Sequence, residues 1–405
     1  MTNQNDSHDP NAWRGRFPIL ERCTYLVNHS LGAMPHAVHD KLNHYATRWA
    51  EAGVRAWSEE GWWESPLTVG NLVGSLMNAP EGTVAMHPNV SLIEAIVAST
   101  LDFSGKRNKV VYSDQNFPSV MYVWEGMRRH GARIEIVESP DGVTVPTEAM
   151  LAAIDEETLI VPISHVLFKS SYQQDAEAIC KRAKEVGALV LLDCYQSLGC
   201  VPIDVQALGV DMLCGGSVKW LCGGPGAGYL YVRPGLLESF SPGITGWAAH
   251  AAPFQFETGP QRYNENGAWR LLHGSPAVPA LMAATAGYEI VREVGVETIR
   301  AYSVKLTEAL RQNMAARGFR IPSPEDPARR GGTLTIGLNE DENGPAFVEA
   351  LNEREILVDH RPGAGIRVSP HFYTREEELD EFAEVMSELR EKRVWERHVQ
   401  TAGAY

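Results

Sequence analysis

Ala188-Leu189-Val190-Leu191-Leu192-Asp193 is apolar at every position until it ends on a carboxylate. A short run with no polar alternation reads as a strand buried on both faces. Ligands of open α/β sheets bind just beyond the carboxyl ends of the strands, so Asp193 is placed where chemistry is done. Lys219 comes 26 residues later, after Gly215-Gly216-Ser217-Val218 and before the Gly-rich turn Gly223–Gly228. The two side chains are expected to face one crevice.

Working outward, the same kind of run recurs at Val110–Ser113, Ala132–Val137 and Leu159–Ser164, with Thr83–Met86 a further strand. Segments of helical spacing separate them, at Leu92–Thr100, Tyr122–Arg129, Thr147–Ile154 and Asp175–Val186. Alternation of this kind predicts an α/β domain with a mostly parallel sheet covered on both faces, over residues 55–275. The chain then changes character. Gly332–Leu338, Ile356–His360 and Gly365–Ser369 read as strands, and Gly344–Glu353 and Thr374–Arg393 as helices. The last of these opens with Thr374-Arg375-Glu376-Glu377, a capping-box pattern. Residues 276–405, led by the helical stretch Ala277–Asn313, are expected to form a smaller α+β unit. Residues 21–54 are expected to pack with it, and 1–20 to be a disordered lead-in.

The 405 residues suggest two or three structural units. Hydrophobic residues are 44% and charged residues 21%, which excludes general disorder. A net charge of −15 argues against nucleic acid or an anionic membrane as the main partner, since either wants a basic face. The lack of a long apolar stretch predicts no membrane span. The N-terminus has no apolar signal core, and six cysteines in so long a chain are no disulfide framework. The sequence reads as cytoplasmic.

An aspartate and a lysine in one crevice suit pyridoxal phosphate. A lysine amine can condense with the cofactor aldehyde. A carboxylate beside the pyridine nitrogen favours its protonated form. The cofactor then acts as an electron sink for the substrate's α-carbon. Ser217 can donate a hydroxyl to the phosphate, and Gln196 can bond the phenolic oxygen. Asn89, Val90 and Ser91 lie where a strand gives way to an apolar helix, and a helix N-terminus suits phosphate.

These segments together resemble the fold-type-I pyridoxal-phosphate enzymes of the class V aminotransferase family, and within it the kynureninases. The resemblance runs from about Tyr25 to Arg393. Tyr25-Leu26-Val27-Asn28-His29-Ser30-Leu31-Gly32 resembles the N-terminal motif, and Gly53-Val54-Arg55-Ala56-Trp57 with Gly61-Trp62 a Trp-bearing substrate segment. Asn116-Phe117-Pro118-Ser119 resembles the motif whose Phe stacks on the cofactor ring. Lys219-Trp220-Leu221-Cys222-Gly223-Gly224-Pro225-Gly226 matches the lysine motif. Thr245-Gly246-Trp247 resembles the loop that follows, and His273-Gly274-Ser275-Pro276 the loop that reaches a partner subunit's phosphate. Gly365-Ile366-Arg367-Val368-Ser369 resembles the segment whose arginine holds the substrate α-carboxylate.

The resemblance implies a homodimer with shared sites that acts on a small amino acid. Lys219 would be catalytic. Asp193, Gln196, Ser217, Phe117, Asn89, Val90, Ser91, Ser275 and Trp247 would bind the cofactor. Arg367, His29, Ser30 and Trp57 would meet the substrate. Four positions depart from the kynureninase pattern: His29 for Asn, Val120 for Asp, Gln196 for His and Val218 for Tyr. Two reactions stay open. One is cleavage of a bond at the substrate β-carbon by a lyase or hydrolase, the other amino-group transfer to a 2-oxo acid.

Three further features carry a plainer reading. Gly223–Gly228 lacks the strand–loop–helix setting of a dinucleotide site. His36, His39 and His44 read as a solvated helix face, so no metal is expected. Trp57, Trp62 and Trp63 read equally as packing or as an aromatic substrate wall.

Overall fold

The computed structural model describes residues 8–399. Its strands are β1 (Thr24–Tyr25), β2 (Val84–His87), β3 (Lys109–Ser113), β4 (Arg133–Val137), β5 (Thr158–Ser164) and β6 (Leu189–Asp193). There follow β7 (Met212–Gly216), β8 (Gly228–Val232), β9 (Leu334–Ile336), β10 (Ile356–Leu357), β11 (Asp359–Arg361) and β12 (Gly365–Val368). Seven form the central sheet in the order β2-β8-β7-β6-β5-β3-β4. All its pairings are parallel except those of β8, which runs against β2 and β7.

The apolar runs are buried on both faces, and the clusters show how. Val111, Val161, Ile163, Val190, Leu192 and Leu213 point into one cluster with Ile179, Leu281 and Tyr288. Their neighbours Val110, Ile160, Leu191, Met212 and Cys214 point into the other with Ile93, Val97 and Trp124. Alternate side chains of one strand thus serve opposite layers, which is why these strands carry no polar face. The helix that opens the proposed C-terminal unit, Val278–Val294, shares the first of these clusters through Leu281, Ala284 and Tyr288.

A third cluster gathers Leu310, Ile336, Phe347, Ile366, Val368, Phe382 and Met386, and Leu26 joins it from the N-terminal segment. β1 pairs in parallel with β10, and Val27 bridges to Ser369. The run read as one strand over Ile356–His360 is two. β10 pairs with β1, while β11 joins the three-stranded sheet β11-β12-β9. Helix Ala37–Ala52 turns away to pack on Val278–Val294.

Two local expectations are corrected. Residues 8–20 are ordered. Phe17 is fully buried, and the Arg14 guanidinium donates to the Tyr373 carbonyl and to Glu378 Oε2, each at 2.9 Å. Residues 1–7 lie outside the described residues. The capping box sits one residue later than read: Arg375 N–H donates to Glu378 Oε2 at 2.7 Å, while Thr374 Oγ1 accepts from His371 N–H. All six cysteines are buried and unpaired. Among the described residues, no helix is long and apolar enough to cross a membrane.

Candidate active site

A cavity of ≈ 220 Å³ lies at the carboxyl edge of the sheet. The strand ends of β5 and β6 supply Ser164 and Asp193 to its wall, and the turn after β7 supplies Lys219. Asn89, Val90 and Ser91 close one side at the start of the Val90–Ala98 helix. Phe117, Ser119 and Val120 close another, from the start of Pro118–Gly126. Val166, Phe168, Tyr195 and Gln196 complete the wall.

Asp193 and Lys219 are both buried, and each disturbs the other. Burial raises the Asp193 carboxyl, while the Tyr195 N–H and the Lys219 charge pull it down. Asp193 Oδ1 accepts from Tyr195 N at 2.9 Å, and Ser164 Oγ lies 3.4 Å from Oδ2. Burial lowers the Lys219 amine to about 7, with the Arg367 guanidinium pushing the same way and Asp193 opposing. An amine titrating there is a competent nucleophile and proton carrier at neutral pH. Two rings flank it. The Tyr195 centroid lies 4.4 Å from Lys219 Nζ, and that of Phe117 lies 5.6 Å away.

The turns that hold these groups are built tightly. Asn116 Nδ2 donates to the Pro162 carbonyl at 2.9 Å, which anchors the Phe117 turn to β5. Gly32 N–H donates to the Val218 carbonyl at 2.7 Å, which ties the N-terminal segment to the lysine turn. Asn89 caps its helix by accepting from Leu92 N at 3.0 Å. The first-turn N–H groups of Val90 and Ser91 precede any possible i−4 partner within the helix.

Several expected residues stand elsewhere. Ser217 is buried, and its hydroxyl is committed to the Ala227 carbonyl at 2.5 Å and to Tyr288 Oη, not to the cavity. Gln196 reaches the cavity, but Nε2 donates to the His29 carbonyl at 3.1 Å and Oε1 accepts from Trp220 Nε1. Trp57 packs edge-on to Trp62 at 5.9 Å, beside Tyr45 and Val278, and does not line the cavity. Trp247 lies in a surface aromatic group with Trp63 at 4.8 Å and Phe256 at 6.1 Å. Ser30 is half-buried, and Ser275 is exposed in the loop before Val278–Val294; neither lines the cavity.

Arg367 is buried, and its guanidinium is engaged by a residue the sequence did not single out. Nε and Nη2 form a fork onto Asp359, at 2.8 and 2.5 Å, and Nη1 donates to the Phe168 carbonyl at 2.7 Å. His29 joins from the N-terminal motif, its Nε2 2.8 Å from Asp359 Oδ1 and Nδ1 2.6 Å from Ser369 Oγ. Burial and then the Arg367 charge lower His29 to about 3, outweighing the pull of Asp359, so the imidazole is neutral. An ionised carboxylate only accepts, so Nε2 carries the hydrogen and Nδ1 is left as an acceptor facing the Ser369 hydroxyl, whose single hydrogen is shared between Nδ1 and the Leu26 carbonyl at 3.0 Å. Asp359 is itself held far below the ordinary carboxyl range. Burial opposes this, and its bonds to His29 and Arg367 outweigh it. Tyr195, Phe168 and Asp359 are thus the neighbours that sequence reasoning missed. Tyr195 adjoins Gln196, which the sequence had marked, and Phe168 follows the Leu159–Ser164 strand by four residues, whereas nothing local marks Asp359.

The cavity fits pyridoxal phosphate. A helix N-terminus that suits phosphate, a buried carboxylate and a near-neutral lysine amine line a single space, with an aromatic ring over the amine. This chemistry, at the carboxyl edge of a mostly parallel sheet, defines a pyridoxal-phosphate-dependent enzyme of fold type I. The chain belongs to the aminotransferase class-V family, whose model matches residues 24–382. Among its relatives are a kynureninase of Pseudomonas fluorescens, 28% identical over 94% of this chain and 92% of the relative, and an uncharacterized aminotransferase of Bacillus subtilis (strain 168), 31% identical over 92% and 96%. The solved cysteine desulfurase of Thermococcus onnurineus NA1 shares the fold. Its TM-score is 0.84 at 20% identity, covering 95% of this chain and 98% of that one.

Proposed function

We propose that this enzyme cleaves a bond at the β-carbon of an L-amino acid, in the manner of a kynureninase. The observation behind this reading is similarity to kynureninases along nearly the whole chain, joined to a cavity that gathers Asp193, Lys219, Phe117 and the Asn89–Ser91 turn. Pyridoxal phosphate, when bound, supplies an electron sink at the substrate α-carbon. Lys219 holds the cofactor and carries the proton at that carbon. Asp193 keeps the pyridine nitrogen charged, because an anion buried beside it favours the cation. Phe117 covers the ring, and the Val90 and Ser91 N–H groups take the phosphate. Gln196 keeps one amide hydrogen beyond its bond to His29, and offers it to the phenolic oxygen. Arg367 takes the substrate α-carboxylate, with His29 and Ser30 beside it. Ser275 and Trp247, both outside this chain's own cavity, serve the site of a second copy in a homodimer. Ser217 acts by bracing the lysine turn through Tyr288.

Val120 replaces a carboxylate of the kynureninase pattern, and it lines the cavity. The cavity wall is therefore apolar there, with no carboxylate from this turn. Amino-group transfer is the second reading, favoured by the 31% identical aminotransferase. The deciding experiment is addition of L-kynurenine to the cofactor-loaded protein. Anthranilate and alanine are expected. Conversion of the cofactor to its amine form by amino acid alone, with no side-chain cleavage, would establish transfer instead.

A further inference from the structure

Asp359 on β11 and Arg367 on β12 are directly opposed in an antiparallel pair, so their side chains share a face. The carboxylate is saturated. Oδ1 takes His29 Nε2 and Arg367 Nε, both at 2.8 Å, and Oδ2 takes Arg367 Nη2 at 2.5 Å and Arg361 Nη2 at 3.0 Å. Four lone-pair directions are all a carboxylate has. Arg367 in turn has five N–H bonds to give, and three are spent on Asp359 and the Phe168 carbonyl. Two remain, the number a bidentate grip on one carboxylate uses.

The charge count points the same way. Two guanidinium groups share one carboxylate, and the third partner, His29, is neutral. The cluster keeps one net positive charge, which one anionic group would neutralise; its members do not line the Lys219 cavity themselves, and Arg367 is tied to the cavity wall through the Phe168 carbonyl. Both ends are fixed: Asp359 is 8% exposed and Arg367 2% exposed.

We propose that Asp359 is a positioning residue, which locks Arg367 so that one defined edge meets the substrate carboxylate, with His29 as its second support. The inference rests on the reading of Arg367 as carboxylate anchor. It implies that recognition is paid for in the folded protein, before substrate arrives, because a preorganised fork loses little freedom on binding.

The test uses the cofactor-loaded protein and two probes, L-alanine and L-alaninamide, with affinity read from the change in the visible spectrum. The wild type is expected to prefer the carboxylate. In Asp359→Asn that preference should fall about 10²-fold, as for a misplaced binding group, with alaninamide affinity and cofactor retention little changed. A merely structural Asp359 would weaken both probes together, and that result overturns the proposal. Arg367→Lys separates the two layers. Preference lost there but kept in Asp359→Asn leaves the anchor reading standing and sinks the positioning role. No preference in the wild type sinks both. If Asp359→Asn does not fold, His29→Asn removes the second support. A smaller fall in preference is then expected, and an unchanged preference is the overturning result.

Discussion

Gly32 lies so close to Lys219 that a Cβ on it would stand 2.1 Å from the Lys219 carbonyl oxygen. The atom in the way is backbone, which cannot swing aside as a side-chain end can. The same glycine donates its N–H to the Val218 carbonyl. The N-terminal motif is therefore pressed against the lysine turn from below, and only a glycine permits the approach. Gly32→Ala is expected to cost about 3 kcal/mol, the upper end of overpacking effects, and to loosen cofactor binding. Thermal unfolding and cofactor retention on dialysis read the two effects. A variant as stable and as firmly loaded as the wild type would show that the turn has room to shift.

Lys219 is a lysine poised near neutrality. Burial holds its amine at about 7 against an ordinary value of 10.5. Only the uncharged amine attacks a carbonyl, so the protein stripped of cofactor should capture pyridoxal phosphate faster as pH rises through about 7. A tenfold gain from pH 6 to 8 corresponds to a shift from roughly a tenth to roughly nine-tenths uncharged. Stopped-flow absorbance at the visible band measures it. A midpoint near the ordinary lysine value would refute the burial argument, and Lys219→Ala should give no band at any pH.

The sequence carried the centre of this site well and its support poorly, for physical reasons. Asp193, Lys219, Phe117 and the Asn89–Ser91 turn lie at ends of elements whose burial is written locally, as apolar runs or helix starts. The Asp359–Arg367 fork depends on the register of β11 against β12, which no single segment encodes. Ser217 is drawn away by Tyr288, a residue on a helix 71 positions later. The split of Ile356–His360 into two strands has the same origin. Thr24–Tyr25 claims the first half, and β12 the second. β7 and β8 both escaped notice: β7 ends on Gly215-Gly216, and β8 starts at the end of the Gly-rich lysine turn, whose Gly224 and Gly226 adopt positive φ.

Glu94 is fully buried on the Val90–Ala98 helix, whose first residues line the cavity. It accepts from Trp124 Nε1 at 2.6 Å and faces Cys214 Sγ, and so joins two cavity-forming helices to β7. Burial, and then the Asp193 charge, raise it to about 8, so it is neutral at pH 7. A neutral acid is closely imitated by an amide. Glu94→Gln should therefore cost under about 1 kcal/mol, whereas Glu94→Ala strands the indole N–H beside a cavity and should cost about 3 kcal/mol. Urea unfolding at pH 7 compares them. Equal costs would mean that the hydrogen bond is not what Glu94 contributes.

Four buried histidines make the fold sensitive to acid. His29 and His87 are lowered to about 3, and His165 and His371 to about 4, each first by burial. The unfolded chain binds protons on these rings below about pH 6.5, while the folded chain stays neutral until pH 3–4. Protons thus favour unfolding throughout that window, and stability falls as pH drops from 6.5 toward 4. At pH 5 each ring forfeits about 2 kcal/mol relative to pH 8, since one pK unit is worth about 1.4 kcal/mol. His87 is the clearest probe, because neither ring nitrogen has a hydrogen-bond partner and its nearest aromatic neighbour is the His273 ring at 5.5 Å. His87→Gln should flatten the pH dependence of urea-unfolding stability between pH 6.5 and 4 by the equivalent of one proton, whatever it does to stability at pH 8. An unaltered slope would mean that His87 titrates normally in the folded protein, and that water reaches a ring that the packing of β2 against β8 should keep dry.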